Sequence, residues 1–223
     1  MRTGSMPKLQ AMGSDSAGAS ARREYERQRA ARERALRERH PRIGRLLIAV
    51  GRAPAHELAW QRGAEGEERA AARLEQLLSG TAVVLLHDRR MPGSRANIDH
   101  LAVGPGGITV IDTKRLTGRV VVNGRGRGAE LRVGRRDRSR LLEGAARQLT
   151  AVMAVADGVD VRAALCFVET AGLPLLGRLR PRGILIDGPR GVARLARRRG
   201  PLDTATIDHL VSMLDHRFPQ AAR

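Results

Sequence analysis

The segment from Asn97 to Lys114 constrains this chain more than any other. Two apolar runs, Ile98–Val103 and Ile108–Lys114, flank Gly104-Pro105-Gly106-Gly107. Proline suits the second position of a tight turn and glycine the third, so the segment reads as an antiparallel hairpin with Pro105 and Gly106 as its loop. That loop sets Asp99 opposite Asp112, at a Cβ separation of roughly 4.5–5.5 Å where like charges repel. Alternation of side chains puts Lys114 on the face of Asp112, with Ile108 and Val110, and puts Leu101 and Val103 on the face of Asp99. An otherwise apolar face thus ends in two carboxylates and an ammonium. A slip of one residue would send every one of these groups to the other side of the sheet.

Lys114 stands out for a second reason. Of the 41 Lys and Arg residues only Lys8 and Lys114 are lysine, and Lys8 lies in a Gly- and Ser-containing leader. Guanidinium is a fixed planar fork, whereas ammonium is a compact charge whose pKa responds to its surroundings. A lysine here, in a chain that otherwise writes arginine, points to a site that uses the ammonium. Two opposed carboxylates also need more positive charge than one lysine brings. A hard divalent ion held by oxygens would supply it, polarising a phosphodiester and activating water. An ordinary Asp–Lys salt bridge at a strand end is the competing reading of the same residues.

The 223 residues suffice for one domain with a core, plus an arm. A single cysteine, Cys166, excludes an intramolecular disulfide framework and a multi-cysteine zinc site; in the apolar run Ala163–Val168 it reads as a buried, inert thiol. Leu46–Val50 is too short to span a bilayer, no signal-peptide pattern precedes it, and the expected location is the cytoplasm. The net charge of +18 is concentrated in three blocks: residues 1–42 with 11 basic and 5 acidic groups, 115–140 with 9 and 2, and 178–199 with 8 and 1. Blocks of this kind favour a polyanion, nucleic acid first and an anionic membrane surface second. One Trp, one Tyr and two Phe leave little for stacking on single strands.

Residues 1–20 read as disordered. Arg22–His40 reads as a helix former without an apolar face, either a solvated arm or a helix that forms on a polyanion. In Gly63–Leu78 an amphipathic helix is expected, with Glu67, Ala70, Ala71, Leu74, Leu77 and Leu78 on one face. Strands follow at Val83–Leu86, Ile98–Val103, Ile108–Lys114, Arg119–Val122 and Glu130–Val133, then a helix over about Ser139–Ala156. Further strands are expected at Val161–Val168 and Gly183–Asp187, and helices near Val192–Arg199 and Thr204–His216. This order predicts an α/β sandwich with a central mixed β-sheet flanked by helices.

Three groups of residues carry a family resemblance. They are Gly63-Ala64-Glu65-Gly66-Glu67, the run from Asn97 to Ile108, and Val110-Ile111-Asp112-Thr113-Lys114 with Gly118 after it. Together they resemble the nuclease-related domain (NERD) family of the PD-(D/E)xK, restriction-endonuclease-like superfamily, over about residues 60–170. The resemblance implies a restriction-endonuclease-like fold and Mg²⁺ (or Mn²⁺) held by Asp99 and Asp112, with Lys114 as catalytic lysine and Glu67 as an accessory acid beside the metal. Gln148 fits a glutamine that related nucleases often place near the site; a buried amide capping a backbone group is the alternative. Two positions depart from the family pattern: no Pro precedes Asp99, and Asp stands at 112 where Glu is more frequent. The expected organisation is a basic arm over 1–42, disordered or helical, a connecting segment over 43–62, the nuclease-related domain over 63–200 and a C-terminal helix over 201–223.

Arg89, Arg90, Arg95, Arg115 and Arg119 flank the hairpin site as candidate phosphate contacts. His100 falls on the face opposite Asp99 and reads as a packing or surface histidine, while His87 has no evident partner. The expected activity is metal-dependent hydrolysis of phosphodiester bonds, in DNA before RNA. The alternative is a non-catalytic nucleic-acid-binding module that keeps the fold.

Overall fold

A computed structural model of the chain describes residues 17–39, 55–94, 96–170, 172–173 and 179–221, without the side chains of 21 and 55–60. Most of the leader, the segment 40–54 and Arg95 therefore lie outside the described residues. The elements in chain order are α1 (Ala19–Arg39), α2 (Ala55–Leu78), β1 (Val84–Arg90), β2 (Asn97–Gly104), β3 (Gly107–Lys114), β4 (Val120–Asn123), β5 (Glu130–Val133) and β6 (Arg136–Asp137). Then come α3 (Ser139–Met153), β7 (Val161–Phe167), β8 (Leu185–Asp187), α4 (Pro189–Ala196) and α5 (Thr204–Arg217).

The central sheet has the order β1-β2-β3-β7-β8. β1, β2 and β3 are antiparallel neighbours, while β3–β7 and β7–β8 are parallel. It is a mixed sheet, as the element order predicts. The hairpin turn is also as predicted: Gly104 pairs with Gly107 around Pro105 and Gly106. Gly107 has φ +109°, and a Cβ there would meet Asp160 O at 2.1 Å, so only glycine serves.

Each face of the sheet is covered by helices because its strands are apolar on both sides. On one face α2 and α4 bury Ala70, Leu74, Leu78, Val192 and Leu195 against Leu85, Ala102, Ile111 and Cys166. On the other, α5 packs Ile207, Leu210 and Leu214 against Leu86, Leu101, Val103 and Val110. Cys166, on the α2 and α4 face, is fully buried, and burial pushes its thiol up to about 12, consistent with an inert packing role.

Two features depart from the sequence reading. β4 and β5 leave the central sheet and, with the unforeseen β6, form a separate three-stranded antiparallel sheet. Val120, Leu131 and Val133 pack this small sheet onto Leu142 and Ala145 of α3. The first helix also begins before Arg22, at Ala19, with Ala17 buried. It packs on α2 rather than standing free. Glu33 bonds Arg29 and Arg37 along its solvent side, and Arg22 pairs with Glu68 of α2.

Candidate active site

The β2–β3 pairing runs from Gly104↔Gly107 to His100↔Ile111 and there stops. β2 continues along β1 as far as Arg90↔Asn97, and β3 continues along β7 as far as Lys114↔Phe167. The two strands part at this point, forming a fork. Asp99 and Asp112 are the first residues past the last rung. Asp99 Oδ2 accepts the Thr113 N–H at 2.6 Å, so its side chain takes up a peptide donor at the fork. Continued by one residue past its last rung, the register sets the two carboxylates opposite each other. The predicted opposition of the two acids is therefore present.

Lys114 closes the group. Its Nζ donates to Asp112 Oδ1 at 2.5 Å and to Thr113 O at 2.9 Å. Burial works against its charge, but Asp112, Asp99 and Glu67 outweigh this and the lysine is held above its usual range. Glu67 comes from α2, on the same face as Ala70, Leu74 and Leu78. Gly66 lets that helix approach: a Cβ there would lie 3.0 Å from Arg115 Cβ. Burial and the nearby Asp99 charge push Glu67 up to about 9, and burial pushes Asp112 up to about 7. Asp99 is raised as well, by burial first. Three carboxyl groups thus share one lysine in a half-buried recess, and they relieve the surplus of negative charge by holding protons.

Oxygen donors in negative excess suit a hard divalent ion, which could take the place of those protons. Among the described residues, however, no three His, Cys, Asp or Glu side chains are already gathered as a metal's ligand set. Lys114 Nζ occupies Asp112 Oδ1, and the Thr113 N–H occupies Asp99 Oδ2. The donor chemistry of Asp99, Asp112 and Glu67 fits such an ion.

Gln148 is buried on α3 beside Leu142, Ala145 and Val152. Its Nε2 donates to Asn97 O at 3.1 Å, so it fastens the start of β2, and its Oε1 is buried without a protein partner.

The arginines divide. Arg89 is a correction: it is 1% exposed and pairs with Asp215 of α5, so it is turned into the protein and away from any phosphate. The backbone past Asp88 explains this, because Asp88 has φ +50° and upsets the strand's alternation. Arg115 pairs with Glu65 and Glu169, its charge already answered. Arg90 and Arg119 are exposed.

Sequence reasoning missed Asp88. It is 2% exposed and lies between the rungs His87↔His100 and Arg89↔Ile98, level with Asp99. Its carboxylate accepts from Ser20 N at 3.0 Å, Ser20 Oγ and Asn97 Nδ2 at 3.1 Å, binding the first turn of α1 to the fork. A carboxylate at a helix N-terminus is favourable. Its charge also raises Glu67 and Asp99. Aspartate tolerates the left-handed conformation better than most residues, the only local signal that could have marked it.

The comparison with known families now bears on this geometry. Residues 62–168 match the family model described as the nuclease-related domain (NERD). This segment belongs to that family. The match contains Glu67, Asp99, Asp112, Lys114 and Gln148, and the mixed sheet is consistent with the restriction-endonuclease-like superfamily. No curated protein and no solved structure matched the chain. Among the described residues no helix is long and apolar enough to cross a membrane.

Proposed function

We propose that this nuclease-related domain protein hydrolyses phosphodiester bonds in nucleic acid, DNA in the first instance, with Mg²⁺ or Mn²⁺. The observation that carries the reading is the fork itself, where Asp99, Asp112, Lys114 and Glu67 meet at the point where β2 and β3 part. Asp99 and Asp112 would hold the ion, with Glu67 assisting directly or through water. The ion, when bound, supplies Lewis acidity toward the phosphate and makes water a stronger nucleophile.

The protein's own residues supply the rest. Lys114 holds a proton firmly, so its role is positional and electrostatic: it orients the attacking water or stabilises charge that develops on the phosphate. Gln148 keeps the start of β2 in place. The small sheet and the segments that flank and join its strands display exposed Arg119, Arg125, Arg127, Arg132, Arg135 and Arg136 against exposed Glu130 and Asp137. They follow Lys114 in the chain after a short connection, and such a surface grips a phosphate backbone without reading base sequence.

The test is cleavage of labelled duplex and single-stranded DNA with Mg²⁺ or Mn²⁺ by wild type, Lys114→Ala and Asp112→Asn. Metal-dependent cutting by wild type alone is expected. Equal DNA binding by all three with no cutting would refute the hydrolase and leave a binding module.

A further inference from the structure

Behind the fork lies a chain of hydrogen bonds that the proposed reaction does not use. His87 Nε2 stands 3.1 Å from Glu75 Oε1 on α2. His87 Nδ1 stands 2.8 Å from His100 Nδ1, and His100 Nε2 stands 3.1 Å from Thr113 Oγ1. The rings meet edge to face with centroids 4.9 Å apart. His87 is 1% exposed and His100 fully buried; burial drives both down to about 3, so both are neutral.

A neutral imidazole carries one N–H and one acceptor nitrogen. The Nδ1–Nδ1 contact holds a single proton, so the tautomer of one ring dictates that of the other. Only two settings satisfy every contact. In the first, Thr113 Oγ donates to His100 Nε2, His100 Nδ1 donates to His87, and His87 Nε2 donates to a Glu75 carboxylate. In the second, every donor and acceptor is exchanged, which requires a donor at position 75. An ionised Glu75 selects the first.

The chain ends on a residue with three tasks. Thr113 is held by its hydroxyl to His100, its N–H holds Asp99 Oδ2 and its carbonyl accepts from Lys114 Nζ. We propose that Glu75, His87 and His100 are positioning residues, a polarised hydrogen-bond chain that fixes Thr113 and, through its peptide groups, the Asp99 carboxyl and the Lys114 ammonium. The consequence for metal binding rests on the hydrolase reading; the chain's polarity does not.

The test uses the whole 223-residue chain. Imidazole ¹⁵N spectra of wild type are expected to show His87 as the Nε2–H tautomer and His100 as the Nδ1–H tautomer. Glu75→Lys, at the partly exposed end of the chain, places a donor against His87 and is expected to invert both. A wild-type His100 in the Nε2–H form, or tautomers unchanged in Glu75→Lys, would overturn the polarity. Mn²⁺ binding, read from water-proton relaxation, is expected to weaken about 10–100-fold in Thr113→Val, as for other groups that orient metal ligands. Thr113→Ser keeps the hydroxyl and should keep the wild-type affinity. Equal affinity in Thr113→Val and wild type would overturn the positioning role. Absence of Mn²⁺ binding in wild type, with the tautomers still inverting, would instead end the metal reading and leave the chain's polarity established.

Discussion

Glu67→Gln should stabilise the metal-free protein near neutral pH, although it removes a residue placed at the proposed active site. Glu67 lies beside Asp99 and Asp112 in a desolvated recess, and these surroundings push its carboxyl from 4.5 up to about 9. The sign follows from proton binding. Below about pH 4.5 Glu67 is protonated in both folded and unfolded chains, and it adds nothing to the pH dependence. Between that pH and about 9 the folded state holds a proton that the unfolded state has released, so stability falls as pH rises. At pH 7 the cost of holding that proton is about 3 kcal/mol as an upper bound. Because Asp99 and Asp112 titrate with Glu67, the group shares this strain, and a single neutral substitution should recover ~1–3 kcal/mol. For a chain of this size that corresponds to about 2–12 °C in Tm. Thermal unfolding of wild type and Glu67→Gln in EDTA, at pH 4.5, 7 and 8.5, measures it directly. The two curves should nearly coincide at pH 4.5 and separate at pH 7 and above, the variant being more stable. A fixed Mn²⁺ concentration should raise wild type more than the variant, which keeps Asp99 and Asp112 but lacks the assisting carboxylate, through preferential binding to the folded state. Equal pH dependence in the two proteins would refute the strained-cluster reasoning.

Three further outcomes can be checked. Asp215→Ala should destabilise more than Arg89→Met, by ~3–5 kcal/mol in denaturant unfolding, because it strands a buried guanidinium whereas methionine replaces the cation with an apolar chain. Gly66→Ala brings a Cβ within 3.0 Å of Arg115 Cβ; it should cost ~1–3 kcal/mol by over-packing and weaken Mn²⁺ binding as α2 is displaced from the fork. Substituting Arg125, Arg127 and Arg135 together by Ala should lower the salt slope of DNA binding by about 2–3 when binding is measured in EDTA, with Lys114→Ala leaving the slope near wild type.

The local part of this protein was legible in its sequence. The Pro105-Gly106 loop and the two-residue period together determine the register of β2 and β3, so Asp99, Asp112 and Lys114 could be brought together from residue order alone. Helical spacing likewise placed Glu67 on the buried side of α2, and the α/β order of elements gave the mixed sheet. The arginine candidates were less legible: net charge does not say which way a side chain turns, and the left-handed backbone at Asp88 sent Arg89 inward to Asp215. The tertiary structure decided whatever depends on residues distant in the chain. Asp88 receives Ser20 from 68 residues away, and Gln148 reaches Asn97 across 51. The path Glu75–His87–His100–Thr113 joins α2 to three strands, and the strained proton-sharing of Glu67, Asp99 and Asp112 exists only once all three are desolvated together. Hydrogen-bond partners and desolvation are properties of the packed chain. A periodic sequence specifies which face a residue lies on, and packing specifies what it meets there.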